Sequence, residues 1–344
     1  MTAYIARRLM LLPIILLGIT FLIFAFMQAV NPYQRLFCFL PTNPSRLTKQ
    51  QVELLMDKYH LRDPLMVQYI SWLNQVLHGN LGWSQASHES VGKTIVKRFP
   101  VSAEIALYSF LPMIAIGIYL GIISSVNHNR AIDHFTRLAA ITGWAFPTFV
   151  LGLTLLAIFY GASGLLPPGR LSTWASLIVH SEQFKTYTGL VTIDALLNGE
   201  WRVFLDGLRH LILPVLCLSV IEWALTLRVM RSSMLEVLRQ DYITTARAKG
   251  LTERTVIMKH AVRNALLPTV TIAGQDLVFL FNGNVVVEVI FNYPGLGQWA
   301  ADAALQLDVP AIIGFTIFAA VCVLIGNLVV DLLYAILDPR VKYD

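Results

Sequence analysis

Residues 9–30 form an apolar stretch with no charged side chain, and five further apolar stretches follow, at 105–126, 138–169, 211–227, 265–290 and 309–337. A helix needs about 20 apolar residues to cross roughly 30 Å of hydrocarbon, and in lipid it satisfies its own backbone polar groups. Each stretch is therefore predicted to be a transmembrane helix. The third is long enough for a span plus a re-entering or interfacial stretch. The fourth is interrupted by Glu222 and is predicted to continue past Arg228, and the sixth is uncharged up to Asp331. The first stretch follows Arg7 and Arg8 but is longer than the apolar core of a signal peptide, about 7 to 15 residues, so it is read as a retained anchor. Composition agrees: 56% of residues are hydrophobic and 14% charged, against about 25% charged in soluble domains. These values exclude a disordered chain, a coiled coil and a conventional soluble enzyme.

The net charge of +5 is not spread evenly. Residues 228–263 hold eight Lys or Arg against three Asp or Glu, and with residues 127–137 and the two tails they hold 14 of the 26 basic residues. The connection 292–310 has none, and residues 161–210 have four. Basic residues collect in cytoplasmic loops, so six spans with both termini cytoplasmic are predicted, and no nucleic-acid partner is expected.

Residues 31–104 then lie outside. Val52, Leu55, Met56 and Tyr59, followed by Val67, Ile70, Leu73, Val76 and Leu77, recur at helical spacing, with Pro64 between the groups and Gly79 after the second. A small helical extracytoplasmic subdomain is predicted. The chain divides into 1–30 (N-terminus and first span), 31–104 (external helical segment) and 105–344 (core with the remaining spans). Cys38, Cys217 and Cys322 lie too far apart for a disulfide framework or a metal motif, and no metal site is expected.

Two short motifs are rejected. Residues 87–94 end in Gly92-Lys93-Thr94 like a phosphate-binding loop, but Ser87 stands where that loop needs its first glycine and no apolar strand precedes it. Gly161-Ala162-Ser163-Gly164 resembles an intramembrane protease motif. Spans five and six offer no histidine as base, so no catalytic residue is assigned.

The most informative segment lies between spans four and five. Small residues Thr245, Ala246 and Ala248 belong to a short predicted helix that Gly250 ends in a left-handed turn. Thr252 is predicted to cap a second helix by accepting N–H bonds, with Glu253 in its first turn and Pro268 near the start of the next span. A tight turn beside apolar Leu251, Val256, Ile257 and Met258 fits a knob that docks on another protein better than a solvated loop.

The residues Asp241-Tyr242, Thr245-Ala246-Arg247-Ala248-Lys249-Gly250-Leu251, His260-Ala261 and Arg263-Asn264-Ala265-Leu266-Leu267-Pro268 resemble the EAA loop of ABC-importer permeases, in the dipeptide/oligopeptide branch. Thr244-Thr245-Ala246 replaces the Glu-Ala-Ala form, as is common in that branch. Further matches run in order along the chain: Asp63-Pro64-Leu65, Gly79 to Gly82, Gly164 to Arg170, Thr188-Gly189 with Asp194, His210 to Pro214, Val287-Glu288, Pro294 to Gly297 and Leu337 to Arg340.

The resemblance implies an all-α integral membrane protein with the type I ABC-importer permease fold, located in a prokaryotic plasma (inner) membrane. It implies a second homologous permease subunit, two ATP-binding cassette subunits and an external substrate-binding protein as partners. ATP and Mg would be bound by the ATPase subunits and no cofactor by this chain. Thr244, Thr245, Ala246 and Gly250 would form the coupling element within an EAA loop at about 236–264, with Arg247, Lys249 and Leu251 beside it. The implied cargo is a dipeptide or oligopeptide; an oligosaccharide, a nickel chelate or another small solute would suit the same architecture. An ion-coupled secondary transporter fits less well, since no paired repeat is visible.

Polar residues within spans are expensive and usually face protein or water. Gln275 and Asn282, seven residues apart, nearly align on an ideal helix, whereas Asp276 and Asn284 diverge by about 80°. All four are candidates for the translocation pathway, with interhelical hydrogen bonding as the alternative role. Glu288, Pro294, Gly295 and Gly297 are expected to shape an outer gate or a fixed turn.

Overall fold

The computed structural model describes residues 2–40 and 47–337, with side-chain surroundings for 10–40 and 47–332. Arg340 and Lys342, and most of the match at 337–340, lie outside the described residues. The chain runs α1 (Thr2–Met27), α2 (Pro32–Leu36), α3 (Lys49–Lys58), α4 (Leu65–Leu77), a hairpin of β1 (Trp83–Ser84) and β2 (Glu89–Ser90), then α5 (Val91–Val126), α6 (Ala131–Ala145) and α7 (Thr148–Leu156). It continues with α8 (Thr173–Val179), α9 (Val191–Leu197), α10 (Trp201–Val237), α11 (Asp241–Ala248), α12 (Glu253–Thr255), α13 (Val262–Phe281), α14 (Val285–Ile290), α15 (Leu296–Leu305) and α16 (Val309–Leu337). A wider π turn, Val256–Ala261, joins α12 to α13 in one rod, and another, Ala157–Ala162, extends α7.

Among the described residues, five helices are long and apolar enough to cross a membrane: Met10–Met27 within α1, α5, α10, Glu253–Phe281 and the Val309–Leu332 part of α16. A sixth span results when α6 and the extended α7, which are long and apolar enough together and bent by 94°, are counted as one crossing. Pro147 explains the bend, because it disfavours helical backbone at the residue before it and Phe146 is extended at ψ 123°.

Span boundaries differ from the sequence expectation at several points: α10 starts at Trp201 rather than near Leu211, the bent pair covers 131–162 rather than 138–169, and two further differences have a visible cause. Helix α5 starts at Val91, so the division at 104/105 falls inside a helix. Its first turns carry Lys93, Lys97 and Arg98 and rise clear of the apolar run, and an apolar window cannot register them. Span five ends at Phe281 rather than 290, because Gly283 takes φ +83° and turns the chain.

Helices α5 and α10 make the most extensive interface, and small residues allow it. A Cβ on Gly117 would lie 2.6 Å from Thr226 Cβ, and one on Gly121 2.7 Å from Met230 Cβ. Glycines four residues apart thus present one flat strip to the neighbouring helix, the usual way apolar helices approach in lipid. Gly274 against Val330 and Gly326 against Val278 do the same between α13 and α16.

The ends of α1, α5, α10 and α16 nearest α2–α4, α8, α9 and α15 share one face of the molecule, and α11 occupies the opposite face. On the first face Phe24, Leu36, Phe39, Leu61 and Trp72 form a buried cluster with Ile313 of α16. Thr48 and Gln51 close a reciprocal capping box at the start of α3. Residues 87–94 form the hairpin-to-helix junction: Thr94 is buried with its hydroxyl 2.8 Å from that of Ser87. Asp308 accepts from the Ser84 hydroxyl at 2.7 Å and the Ala86 N–H at 2.9 Å, binding the hairpin to α16. Ser163 donates to the Phe159 carbonyl at 2.7 Å, a helix-closing bond.

Candidate docking site and translocation pathway

The basic segment after α10 folds as a compact projection. Gly250 ends α11 at φ +76°, the left-handed conformation that favours glycine, and an added Cβ would meet nothing within 4 Å. Arg247 spans the turn, donating to Glu253 through Nη2 at 2.7 Å and Nε at 3.1 Å. This pair is solvated, so it aligns the two helices more than it stabilises them. Thr252 occupies the position before the second helix, but its hydroxyl lies 2.9 Å from that of Thr255 and accepts no backbone N–H bond. Asn264 donates to the Tyr242 hydroxyl at 3.1 Å, tying α11 to the foot of α13.

One side of the projection is internal. Ile243 and Ala246 are buried against Met230, Met234, Val256, Ala261, Val262 and Ala265. Thr244, Thr245, Arg247, Lys249, Gly250 and Leu251 are exposed. Tyr242, Leu251 and Met258 add apolar surface among these polar groups. A small, rigid, half-apolar tip on a packed base can dock in a groove, and Ala246 supports that tip from within.

The polar groups of span five separate. Gln275 is exposed, while Asp276 and Asn282 are half-buried. Asp276 Oδ2 and Asn282 Oδ1 are buried without a hydrogen-bond partner among the described residues. An acceptor left in that state costs about 1–3 kcal/mol. Asn282 ends α13, and Asn284 lies beyond the break, where its side chain accepts from the Val287 N–H at 3.1 Å and caps α14.

Glu288 is buried and holds that break in place. Its Oε1 accepts from Ser102 at 2.7 Å and its Oε2 from the Gln298 N–H at 3.0 Å; Ser102 in turn accepts from the Leu296 N–H at 2.8 Å. Burial pushes the Glu288 carboxyl above its ordinary range, and the bond from Ser102 and backbone N–H groups pull it back. A Cβ on Gly295 would fall 2.5 Å from Glu288 Oε2, and one on Gly297 2.8 Å from the Val285 nitrogen. Pro294 borders a cavity of about 530 Å³ with Lys97, Arg98, Arg170 and His180. The arrangement is a tight turn that locks α14 and α15 onto α5.

Sequence reasoning did not single out Glu104, which is fully buried near the start of the apolar part of α5. Its Oε2 accepts from Arg170 at 2.9 and 3.2 Å, and its Oε1 accepts from the Thr192 N–H and hydroxyl, both at 2.8 Å. Arg170 also donates to the Gly189 carbonyl at 2.7 Å. Asp194 gathers the N–H groups of Thr188 and Gly189 at 2.8 and 2.9 Å. On the opposite face Arg231 of α10 reaches Asp133 of α6 through Nε and Nη2, both at 2.8 Å. A charge beside an apolar run is the only sequence signal for Glu104, because its partners are 66 and 88 residues away. Among the described residues no group of three His, Cys, Asp or Glu is placed to hold a metal.

Comparison with known proteins places this geometry. Residues 114–343 match the binding-protein-dependent transport system inner membrane component family, and residues 1–106 match its N-terminal component. The chain is 37% identical to the dipeptide transport system permease protein DppB of Escherichia coli K12, covering 100% of this chain and 99% of that protein. It is 38% identical to the oligopeptide transport system permease protein AppB of Bacillus subtilis 168 over the full length of both. It is 39% identical to the probable D,D-dipeptide transport system permease protein DdpB of E. coli K12, over 88% of this chain and 89% of that one. The chain therefore belongs to the binding-protein-dependent transport system inner membrane components, the permease subunits of ABC importers.

Proposed function

We propose that this chain forms half of the membrane pathway of an ATP-driven importer for dipeptides or oligopeptides. The observation that carries the reading is full-length similarity to dipeptide and oligopeptide permeases in a chain whose α11 turn is a rigid, exposed tip. The partners are a second homologous permease, two ATPase subunits that bind ATP and Mg, and an external binding protein that delivers the solute. The basic surplus of residues 228–263 supports a cytoplasmic position for α11 and both termini. In that orientation α2–α4, α8, α9 and α15 face outward.

Thr244, Thr245, Arg247, Lys249, Gly250 and Leu251 are the surface that meets an ATPase subunit. When ATP closes the ATPase pair, the docked tip moves with it. Because Ile243 and Ala246 pack on α10 and the foot of α13, that movement passes into two spans and favours the outward- or inward-open arrangement. Gln275 and Asp276 border the pathway. The unpaired acceptors on Asp276 and Asn282 are enclosed by the chain itself, so partners for them require another arrangement of the spans. Glu288, Pro294, Gly295 and Gly297 form the fixed outer turn on which any gate rests. Hydrolysis belongs to the ATPase subunits, and this chain transports without a catalytic site of its own.

A photo-crosslinking amino acid tests the docking surface. Placed at Leu251 in the assembled transporter, it is expected to capture the ATPase subunit. Placed at exposed Leu177 of α8, it should not. Capture at Leu177 and none at Leu251 would refute both the docking role and the orientation.

A further inference from the structure

Helix α4 lies deeper than an external subdomain requires. The Tyr69 hydroxyl is 3.0 Å from Thr20 Oγ1 and 3.4 Å from the Leu17 carbonyl. Thr20 precedes Met27, the end of the first span, by seven residues, which is about 10 Å along the helix at 1.5 Å per residue. The Tyr69 ring also meets Phe21 and Phe24 edge-on, at centroid distances of 5.7 and 5.3 Å. A side chain of α4 therefore reaches well inside the hydrocarbon level set by its neighbour.

The faces of α4 are ordered to match. Gln68 and Trp72 point into the protein, where Gln68 accepts from Arg35 at 2.9 Å. Next around the helix come Leu65, Val76 and Tyr69, then Leu73, Met66, Leu77 and Ile70 within about 60° of one another, and then Asn74, His78 and Ser71, an arc polar but for Val67. Met66, Ile70 and Leu77 are 64%, 61% and 76% exposed. The apolar arc thus follows directly from the tyrosine that points down the span, and the polar arc lies beyond it. This surface is continuous with the exposed apolar side of α1 at Leu17 and Phe21. Between the two helices runs a mainly apolar groove of about 420 Å³ lined by Phe21, Phe24, Ala25, Leu65, Met66 and Tyr69, with Gln28 as its one polar lining side chain.

We infer that α4 is an interfacial helix seated in the leaflet at the C-terminal end of α1, with Met66, Ile70 and Leu77 among acyl chains and one chain lying in the groove against Phe21. Interfacial helices sink their apolar face about 5–10 Å into the headgroup and acyl boundary, which agrees with the level of Tyr69. The second helix of the external segment anchors that segment to lipid and fixes its height beside the spans. The inference rests on the chain crossing a membrane and is independent of which solute it carries.

The test uses the assembled transporter in lipid nanodiscs, with nitroxide labels at Met66→Cys, Ile70→Cys, Leu77→Cys and Asn74→Cys in a Cys322→Ser background. Collisions with oxygen should exceed those with a water-soluble nickel chelate several-fold at Met66, Ile70 and Leu77, and the order should reverse at Asn74. A bimane at Leu65→Cys should be quenched by phospholipids brominated in mid-chain. Nickel collisions at Met66 and Ile70 equal to those at Asn74 would place the face in water and overturn the inference. Exclusion of both reagents there, with no bromine quenching, would overturn it in favour of a covering protein.

Discussion

Gly250→Val is expected to leave the protein inserted and assembled but to abolish ATP-dependent uptake in reconstituted vesicles. Gly250 has φ +76° with nothing within 4 Å of an added Cβ, so the substitution meets no neighbour and acts through the backbone alone. A β-branched residue in the left-handed region costs about 1–2 kcal/mol or more. The turn would therefore relax, and Leu251 with the Arg247–Glu253 pair would leave its place. The base formed by Ile243 and Ala246 would stay packed, so the defect should appear as ATP hydrolysis no longer linked to uptake. Normal uptake at a normal protein level would refute the docking role of the turn.

Glu104→Ala should produce the largest loss of stability. It removes the only carboxylate that Arg170 is seen to meet among the described residues, and the acceptor for two Thr192 donors. Arg170 has a side chain only 22% exposed, so it cannot recover full hydration where it lies. Breaking one partner of such a pair costs about 3–5 kcal/mol. The purified complex should show a clear drop in Tm, and Glu104→Gln, which keeps an acceptor for Thr192, should fall between the two. An unchanged Tm for Glu104→Ala would mean that the loop 163–200 is held by other contacts.

The six-span plan was legible because the requirement for an apolar run in lipid is local. The helix, turn and helix at 241–261 were legible for the same reason, since Gly250 and the basic run lie within a few residues of one another, although Thr252 does not make the cap bond its position suggests. Three features were not. The first turns of α5 carry Lys93, Lys97 and Arg98, and hydropathy reports lipid contact rather than helix length. The end of span five depends on Gly283: Asn282 and Asn284 flank it, but the apolar Val285, Val286, Val287, Val289 and Ile290 follow and hide the break. The Glu104–Arg170–Thr192 and Ser102–Glu288–Leu296 ties join residues that only the packing of α5 against residues 170–192 and 288–298 brings together. Asn284 illustrates the consequence, since a residue read as lying within span five instead caps the next helix.

The central claim is that this chain supplies a pathway whose motion comes from ATP on partner subunits. Purified permease pair, ATPases and binding protein, reconstituted in vesicles, should accumulate a labelled dipeptide or oligopeptide only when ATP and the binding protein are both present, and collapse of ion gradients should leave the rate unchanged. Uptake that proceeds without ATP and stops when an ion gradient is dissipated would contradict it.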